Sequence, residues 1–184
     1  MKSLLITFHP VTLESETAEG QMIELIAALA DQKETQLIFT LPNADTDGRA
    51  LIKIVNEFVA KNPNAKAFTS LGQLRYLSCI ANVDGVIGNS SSGLLEVPSF
   101  RKGTVNIGDR QRGRIQAGSV INCDPTRDSI SRALMKLYSD AFQSGLSSVK
   151  NPYGLGGASN AVVKQIKSTS LDGILKKRFY DMDK

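Results

Sequence analysis

Tryptophan is absent from the sequence, and phenylalanine and tyrosine supply only 6% of its 184 residues. The densest basic stretch, RKGTVNIGDRQRGR at 101–114, contains no aromatic residue at all. Surfaces that bind nucleic acid commonly place aromatic side chains among the basic ones, so nucleic acid is not predicted as a partner. Two interpretations of this stretch stay open: a solvated basic face, or a site for a small anion.

Long apolar runs and cysteines are also scarce. No apolar run approaches the ~18 residues that a membrane-spanning helix needs, and the N-terminal run SLLITF is too short for a signal peptide. The two cysteines, Cys79 and Cys123, lack metal-ligand spacing and are expected to be buried free thiols. The sequence therefore predicts a cytoplasmic protein with no membrane partner and no metal site, and no cofactor is predicted.

Three well-known motifs are missing. Without GxGxxG after the first strand, or GxxxxGK[ST] anywhere, a standard dinucleotide fold and a P-loop NTPase are disfavoured. Without a GxSxG turn, a serine hydrolase of the α/β type is disfavoured too.

Short apolar segments instead alternate with segments of helical period along the whole chain. The strands are predicted at 3–8, 36–41, 65–69, 84–89, 104–108 and 118–124. The helices are predicted at 16–32, 47–62, 71–83 and 126–145, with one or two more in 157–181. Such alternation is typical of βαβ units, so 1–184 is predicted to form one three-layer, Rossmann-like α/β domain with a mostly parallel sheet of about six strands.

Parallel sheets bind ligands at the carboxyl ends of their strands, and polar residues follow most of the predicted strands here. The stretch GNSSSGLLEVPSF (88–100) has three serines where a strand stops and a short helix through Leu94 and Leu95 begins. A helix start and serine hydroxyls suit a phosphate, and Glu96 suits the hydroxyl pair of a ribose. The pattern thus fits a nucleotide, or more simply a serine N-cap followed by a solvent-exposed glutamate. His9, the only histidine, suits phosphate binding or proton transfer, or is a hydrogen-bonded turn residue.

Four stretches, in chain order, carry a family resemblance: TFHPVT, GNSSSGLLEVPSF, TVNIGDRQRGR and NPYG. Together they resemble the hydrolysing UDP-N-acetylglucosamine 2-epimerases of sialic-acid biosynthesis. The resemblance covers the C-terminal half of that family, whose members have two Rossmann-like domains in a glycosyltransferase-B arrangement with the active site between them. It implies a missing N-terminal domain as partner, and an isolated chain that is inactive.

The resemblance also implies roles for seven residues. His9, Ser90, Ser91 and Arg110 are expected to contact the diphosphate of a UDP-sugar. His9 is also the one catalytic candidate, because it is the only residue here suited to proton transfer.

The other three residues are expected around the nucleoside. Asn43 is expected near the nucleotide, the backbone of Leu71 beside the uracil, and Glu96 on the ribose hydroxyls.

In the family, UDP leaves by elimination across C1 and C2 and water then adds to the glycal, which releases N-acetylmannosamine. The carboxylates that act at C2 are expected in the N-terminal domain. Two alternatives stay open: a glycosyltransferase domain of the same fold, and a non-catalytic module that senses nucleotide sugars. The sugar substituents (N-acetylglucosamine or a diacetamido sugar) and homo-oligomerisation of the full-length form are left open as well.

Overall fold

Six strands form one parallel sheet, as the sequence predicts. The computed structural model describes residues 2–11, 17–43 and 46–176. The strands are β1 (Lys2–Thr7), β2 (Thr35–Thr40), β3 (Ala65–Phe68), β4 (Gly85–Gly88), β5 (Gly103–Ile107) and β6 (Val120–Cys123). Their order in the sheet is β3-β2-β1-β4-β5-β6, and every pairing is parallel. The predicted fold class, α/β with a six-stranded parallel sheet, is confirmed.

The strand order reverses beside β1, which pairs with β2 on one side and β4 on the other. Thr7, the last residue of β1, is the register partner of both Thr40 and Gly88. The strands therefore end at one level, and the loops that follow them lie side by side. A reversal of this kind is where open α/β sheets form a ligand crevice.

Both faces of the sheet are covered by helices. The α-helices of this part of the chain are α1 (Thr17–Ala30), α2 (Thr46–Lys61), α3 (Gly72–Asn82), α4 (Ser92–Leu95), α5 (Arg127–Leu137) and α6 (Asp140–Gly145). A further helix, α7 (Ala158–Ser168), belongs to a second compact unit that is described below. The larger core cluster joins Leu4 and Ile6 of β1 to residues such as Leu25 of α1, while Leu5 packs with Ile80 of α3 in a separate cluster. Because successive strand residues point to opposite faces, these clusters are the two interfaces of a three-layer fold.

The single helix predicted at 126–145 is wrong, because the structure contains two helices there. α5 begins after Thr126, whose side chain accepts a hydrogen bond from the Ser129 amide as an N-cap. It ends at Leu137, and Ser139 takes an extended conformation (ψ 143°) and caps α6 by accepting from the Phe142 amide. Apolar residues keep their helical spacing across this break, so periodicity alone does not reveal it.

The predicted apolar face of the third helix is only partly buried, with Leu77 and Cys79 packed against the core cluster that contains Ile80. Leu74 was expected on this face with Leu77, Cys79, Ile80 and Ala81, yet its side chain is 81% exposed and only Ile80 is buried. The helix is therefore anchored near its C-terminal end, which leaves its first turn beside the strand ends.

The two thiols are free, as expected, but each is only partly buried, so the expectation of buried cysteines is wrong on that point. Burial, with a smaller effect from the charge of Asp124, raises the pKa of the Cys123 thiol to about 12. Desolvation disfavours the charged thiolate, and Cys123 is therefore a poor nucleophile at neutral pH.

Contacts divide the chain into two compact units, Met1–Tyr153 and Gly154–Lys184. The second unit is described as far as residue 176 and contains α7, none of whose residues is buried. One of the one or two helices expected in 157–181 is thus present, and 177–184 lie outside the described residues. A single nucleotide-sugar-binding domain over 1–184 stays a prediction. Within the described part of the chain, no helix has the length and apolar character to span a bilayer.

Candidate functional site at the carboxyl edge of the sheet

Six of the seven predicted site residues follow strands at the same edge of the sheet, and the seventh, Glu96, follows the short helix after β4. His9 follows β1, Asn43 follows β2, Leu71 follows β3, Ser90 and Ser91 follow β4, Glu96 follows α4, and Arg110 follows β5. The parallel topology therefore collects residues that are up to 101 positions apart in the sequence.

Asn89 holds the loop after β1 against the loop after β4. Its side chain is 1% exposed. Its Oδ1 accepts a hydrogen bond from the His9 amide at 2.8 Å, and its Nδ2 donates to the His9 carbonyl at 2.8 Å. This reciprocal pair satisfies both backbone groups of His9 and fixes where the chain turns into His9-Pro10.

The loop after β5 is attached to the same point. The Asn89 carbonyl accepts from Arg110 Nη1 at 3.1 Å and from Gln111 Nε2 at 2.8 Å. Gln111 is 1% exposed, whereas the other residues of this loop (108–116), here called the basic loop, are mostly exposed. Asn89 is thus one buried residue that bonds to His9 and Arg110 and directly precedes Ser90. Sequence reasoning did not assign this role to it.

The serine loop is organised by its backbone. The Ser91 carbonyl accepts from the Leu94 and Leu95 amides at 3.0 and 2.9 Å, which closes the single turn of α4. Ser91 occupies the N-cap position but its side chain caps nothing. Within the described residues, its hydroxyl makes no hydrogen bond, and Ser91 is only partly buried. The simple N-cap interpretation therefore does not account for this serine, and its hydroxyl is available to a ligand.

Gly93 packs the serine loop onto β5. A β-carbon at this position would lie 2.6 Å from Thr104 Cγ2, and Thr104 Oγ1 donates to the Gly93 carbonyl at 2.9 Å. The glycine is thus required for close approach of α4 to the sheet. This contact sets the height of the loop above the strand ends.

A cavity of about 460 Å³, here called the Glu96 cavity, opens beyond β2 and β3. Three of the seven predicted residues line it: Asn43, Leu71 and Glu96. Tyr76 also lines it, and its hydroxyl lies 3.4 Å from Thr7 Oγ1 at the end of β1. Glu96 is exposed, so its carboxylate faces solvent and can accept hydrogen bonds from a ligand.

The other four residues, His9, Ser90, Ser91 and Arg110, do not line the Glu96 cavity. They lie around Asn89, and α4 connects this group to Glu96. The edge therefore has two neighbouring parts: a cavity with a carboxylate, and a polar rim with two serines, a histidine and an arginine. Within the described residues, no group of three His, Cys, Asp or Glu side chains is placed to hold a metal ion.

The NPYG stretch supports the same region. Asn151 Nδ2 donates to the Leu95 carbonyl and to Ser99 Oγ, both at 2.7 Å. The Tyr153 hydroxyl donates to the Ile115 carbonyl at 3.0 Å. Asn151 thus satisfies a carbonyl at the end of α4, next to Glu96, and Tyr153 holds the basic loop.

A family model described as UDP-N-acetylglucosamine 2-epimerase matches residues 1–167. The chain belongs to this family. The resemblance drawn from the four sequence stretches is therefore confirmed. Two curated relatives of the epimerase-family chain are described next.

One relative is the GDP/UDP-N,N'-diacetylbacillosamine 2-epimerase (hydrolyzing) of Campylobacter jejuni, 39% identical over 97% of this chain and 46% of its own length. Another is the polysialic acid biosynthesis protein P7 of Escherichia coli, 37% identical over 97% of this chain and 46% of its own length. The epimerase-family chain thus spans about half the length of the curated relatives it matches.

Among solved structures, the UDP-GlcNAc 2-epimerase of Neisseria meningitidis bound to UDP-GlcNAc superposes with a TM-score of 0.75. The match covers 91% of this chain and 45% of that one at 16% identity. Identity this low shows a shared fold only. The epimerase-family chain has the fold of a little under half of that enzyme's chain.

Proposed function

We propose that this chain is the UDP-binding half of a hydrolysing 2-epimerase that converts UDP-N-acetylglucosamine to N-acetylmannosamine and UDP. The observation that carries the proposal is the continuity from the polar rim to the Glu96 cavity across the single turn of α4. A nucleoside diphosphate needs phosphate donors next to a site that accepts ribose hydroxyls, and this edge offers both. Membership of the epimerase family supports the same conclusion.

In this proposal the uridine occupies the Glu96 cavity. The uracil lies against the backbone of Leu71, with Asn43 nearby, and the Glu96 carboxylate accepts from the ribose hydroxyls. A carboxylate is an acceptor with two oxygens, which matches the two donors of a diol.

The diphosphate lies on the polar rim in the same proposal. The Ser90 and Ser91 hydroxyls and the Arg110 guanidinium donate to its oxygens, with His9 alongside. When the C1–O bond breaks, charge develops on the departing diphosphate, and donors that are already in position stabilise that charge. Asn89 contributes by holding His9 and Arg110 in place.

The proton on C2 requires an acid–base group. Of the residues on the polar rim, His9 is the one suited to proton transfer. We assign the carboxylates that act at C2 to an N-terminal half of the same enzyme. Water then adds to the glycal and the free sugar leaves. We therefore expect the 184-residue chain to bind UDP without turning over UDP-sugar. The free thiols Cys79 and Cys123 fit a reducing compartment, and we propose a cytoplasmic location on that basis.

A second substrate is favoured by a specific comparison. The relative that is 39% identical is named for a diacetylbacillosamine nucleotide, so UDP-N,N'-diacetylbacillosamine is the alternative to UDP-N-acetylglucosamine. The two sugars differ at the hexose ring, and the nucleotide contacts proposed here serve both.

Mass spectrometry of the products tests the proposal. The full-length enzyme is given each UDP-sugar with and without an acceptor sugar, in ¹⁸O-labelled water. Free 2-epimerised sugar carrying one ¹⁸O, with UDP, supports hydrolysing epimerisation, and the preferred substrate identifies the sugar. Label-free transfer to the acceptor would show a glycosyltransferase instead. Binding without any product would show a sensing module.

A further inference from the structure

A second cavity, larger than the Glu96 cavity, lies at the other end of the same edge. It has a volume of about 680 Å³ and opens where β5 and β6 end, and we call it the β5–β6 cavity. None of the seven predicted site residues lines it. Four amide side chains do: Gln21, Asn106, Gln116 and Asn122.

Three of these amides form one hydrogen-bonded chain. Asn106 and Asn122 are register partners on β5 and β6, and Asn106 Nδ2 donates to Asn122 Oδ1 at 2.9 Å. Asn122 Nδ2 donates to Gln116 Oε1 at 2.7 Å, and Gln116 Nε2 donates back to Asn122 Oδ1 at 3.3 Å. The chain fixes the orientation of each amide, so the cavity wall presents an ordered set of donors and acceptors.

One acceptor in this chain has no donor. Asn106 is 2% exposed, and its Oδ1 has no hydrogen-bond partner within the described residues. A buried acceptor left unpaired costs free energy, and with less than 1 Å² of accessible surface this atom is reached by a hydroxyl group only when neighbouring side chains move. The carboxylate and amide oxygens of the other lining residues favour a partner rich in O–H or N–H donors.

The charged side chains that line the cavity include more carboxylates than cations. Two carboxylates, Asp109 and Asp124, line it together with one guanidinium, that of Arg112. These three lining side chains together carry one formal negative charge in excess, and the carboxylate oxygens accept hydrogen bonds from hydroxyl groups. An uncharged polyol satisfies the amides, the carboxylates and the guanidinium together.

We propose that the β5–β6 cavity binds an uncharged monosaccharide, with the amides of Asn122 and Gln116 as its principal contacts. The volume lies within the range of small-molecule sites. The loop that carries Gln116 also carries Arg110 and Gln111, which reach Asn89. Sugar bound here therefore sits one loop away from the polar rim. The proposal stands without the proposed epimerase function, since it concerns a separate set of side chains.

Solution NMR of the ¹⁵N-labelled 184-residue chain tests it, with N-acetylmannosamine and N-acetylglucosamine as probes. We expect the side-chain amide signals of Asn122 and Gln116 to shift on addition of either sugar, and to do so equally with UDP present in excess. Replacing Asn122 with Ala removes the hydrogen bonds of its amide and should weaken sugar binding about tenfold. Asn56→Ala removes an exposed asparagine from α2, outside the cavity, and should leave sugar binding unchanged.

The outcomes separate clearly. No shift at Asn122 or Gln116 with either sugar, or shifts that UDP abolishes, would overturn the proposal. So would loss of UDP binding in Asn122→Ala, because the cavity would then belong to the nucleotide site. If Asn122→Ala fails to give a dispersed spectrum, Gln116→Ala replaces it, and undiminished sugar binding in that variant counts against the proposal.

Discussion

Removing the side chain of Asn89 should both destabilise the fold and weaken nucleotide binding. Asn89→Ala deletes the two 2.8 Å hydrogen bonds to the His9 backbone. The bonds from Arg110 and Gln111 go to the Asn89 carbonyl and survive the substitution. The perturbation is therefore confined to the junction between the loops after β1 and β4.

The magnitude follows from the number of bonds and their surroundings. Each intramolecular hydrogen bond contributes about 0.5–1.5 kcal/mol net, so two contribute about 1–3 kcal/mol. Asn89 is 1% exposed, and the loss also leaves a small buried void. His9 is only partly buried, so water can reach its freed backbone groups in part. We expect the free energy of unfolding to fall by about 2 kcal/mol.

Urea unfolding of four proteins measures this. Asn82→Ala is the matched control, because Asn82 Nδ2 also donates to a backbone carbonyl, that of Ser78 at 2.8 Å, but on the exposed side of α3. It should cost no more than about 0.5 kcal/mol. Asn89→Asp keeps the acceptor for the His9 amide but loses the donor, so its loss should be about half or more of that of Asn89→Ala.

UDP affinity, measured on the same variants, gives the functional consequence. Asn89→Ala should bind UDP more weakly than Asn82→Ala, since His9 is no longer held at the rim. The reasoning is refuted if Asn89→Ala and Asn82→Ala lose equal stability. It is also refuted if Asn89→Ala is destabilised but binds UDP as tightly as the wild type.

Three further predictions concern single residues. Glu96→Ala should weaken the binding of UDP by about tenfold or more but leave the binding of inorganic pyrophosphate unchanged. Equal losses of affinity for the two ligands would show that Glu96 does not contact the ribose. Gly93→Ala should cost about 1–3 kcal/mol, because the new methyl group meets Thr104 Cγ2 at 2.6 Å. Gly20→Ala on α1, with nothing within 4 Å, should be neutral or stabilising in the same melts, and similar effects of the two changes would contradict the packing argument. Burial raises the pKa of Cys123 to about 12, above its unfolded value of about 8.5. Its contribution to stability is therefore complete below that unfolded value and is lost as pH rises toward the folded one. Between about pH 8 and 11, the free energy of unfolding measured in urea should fall more steeply for the wild type than for Cys123→Ala. Parallel declines would show that the thiol of Cys123 does not contribute to the pH dependence.

The sheet could be predicted from sequence because its strands are short apolar runs bounded by turn residues. Segments such as SLLITF are buried on both faces, and burial of that kind leaves a continuous apolar pattern. Parallel pairing then follows from alternation with helices, which is why residues after different strands could be assigned to one edge.

Helix boundaries and faces were less predictable. The break at Ser139 depends on a cap that competes with an unbroken apolar period, and periodicity is blind to that competition. Leu74 is exposed because the core contacts of α3 begin at Tyr76 and Leu77, and where such contacts begin is a property of the tertiary structure.

That the seven candidate site residues lie at one edge of the sheet could be predicted, but the hydrogen bonds that connect them could not, and their roles in binding stay a prediction. Asn89 looks in the sequence like one more polar residue at a strand end. Its importance lies in hydrogen bonds to His9 and Gln111, 80 and 22 positions away, which no local pattern encodes. The β5–β6 cavity escaped prediction for the same reason, since Asn106 and Asn122 meet only when their strands pair.

Isothermal titration of UDP into the 184-residue chain, with Ser91→Ala and Glu96→Ala in parallel, tests the central claim most directly. The account predicts binding with a dissociation constant between roughly 50 μM and 1 mM, or about −4 to −6 kcal/mol. Each substitution should weaken that binding about tenfold or more. Absence of UDP binding, or affinity unchanged in both variants, would contradict the claim that the polar rim and the Glu96 cavity together hold the nucleotide.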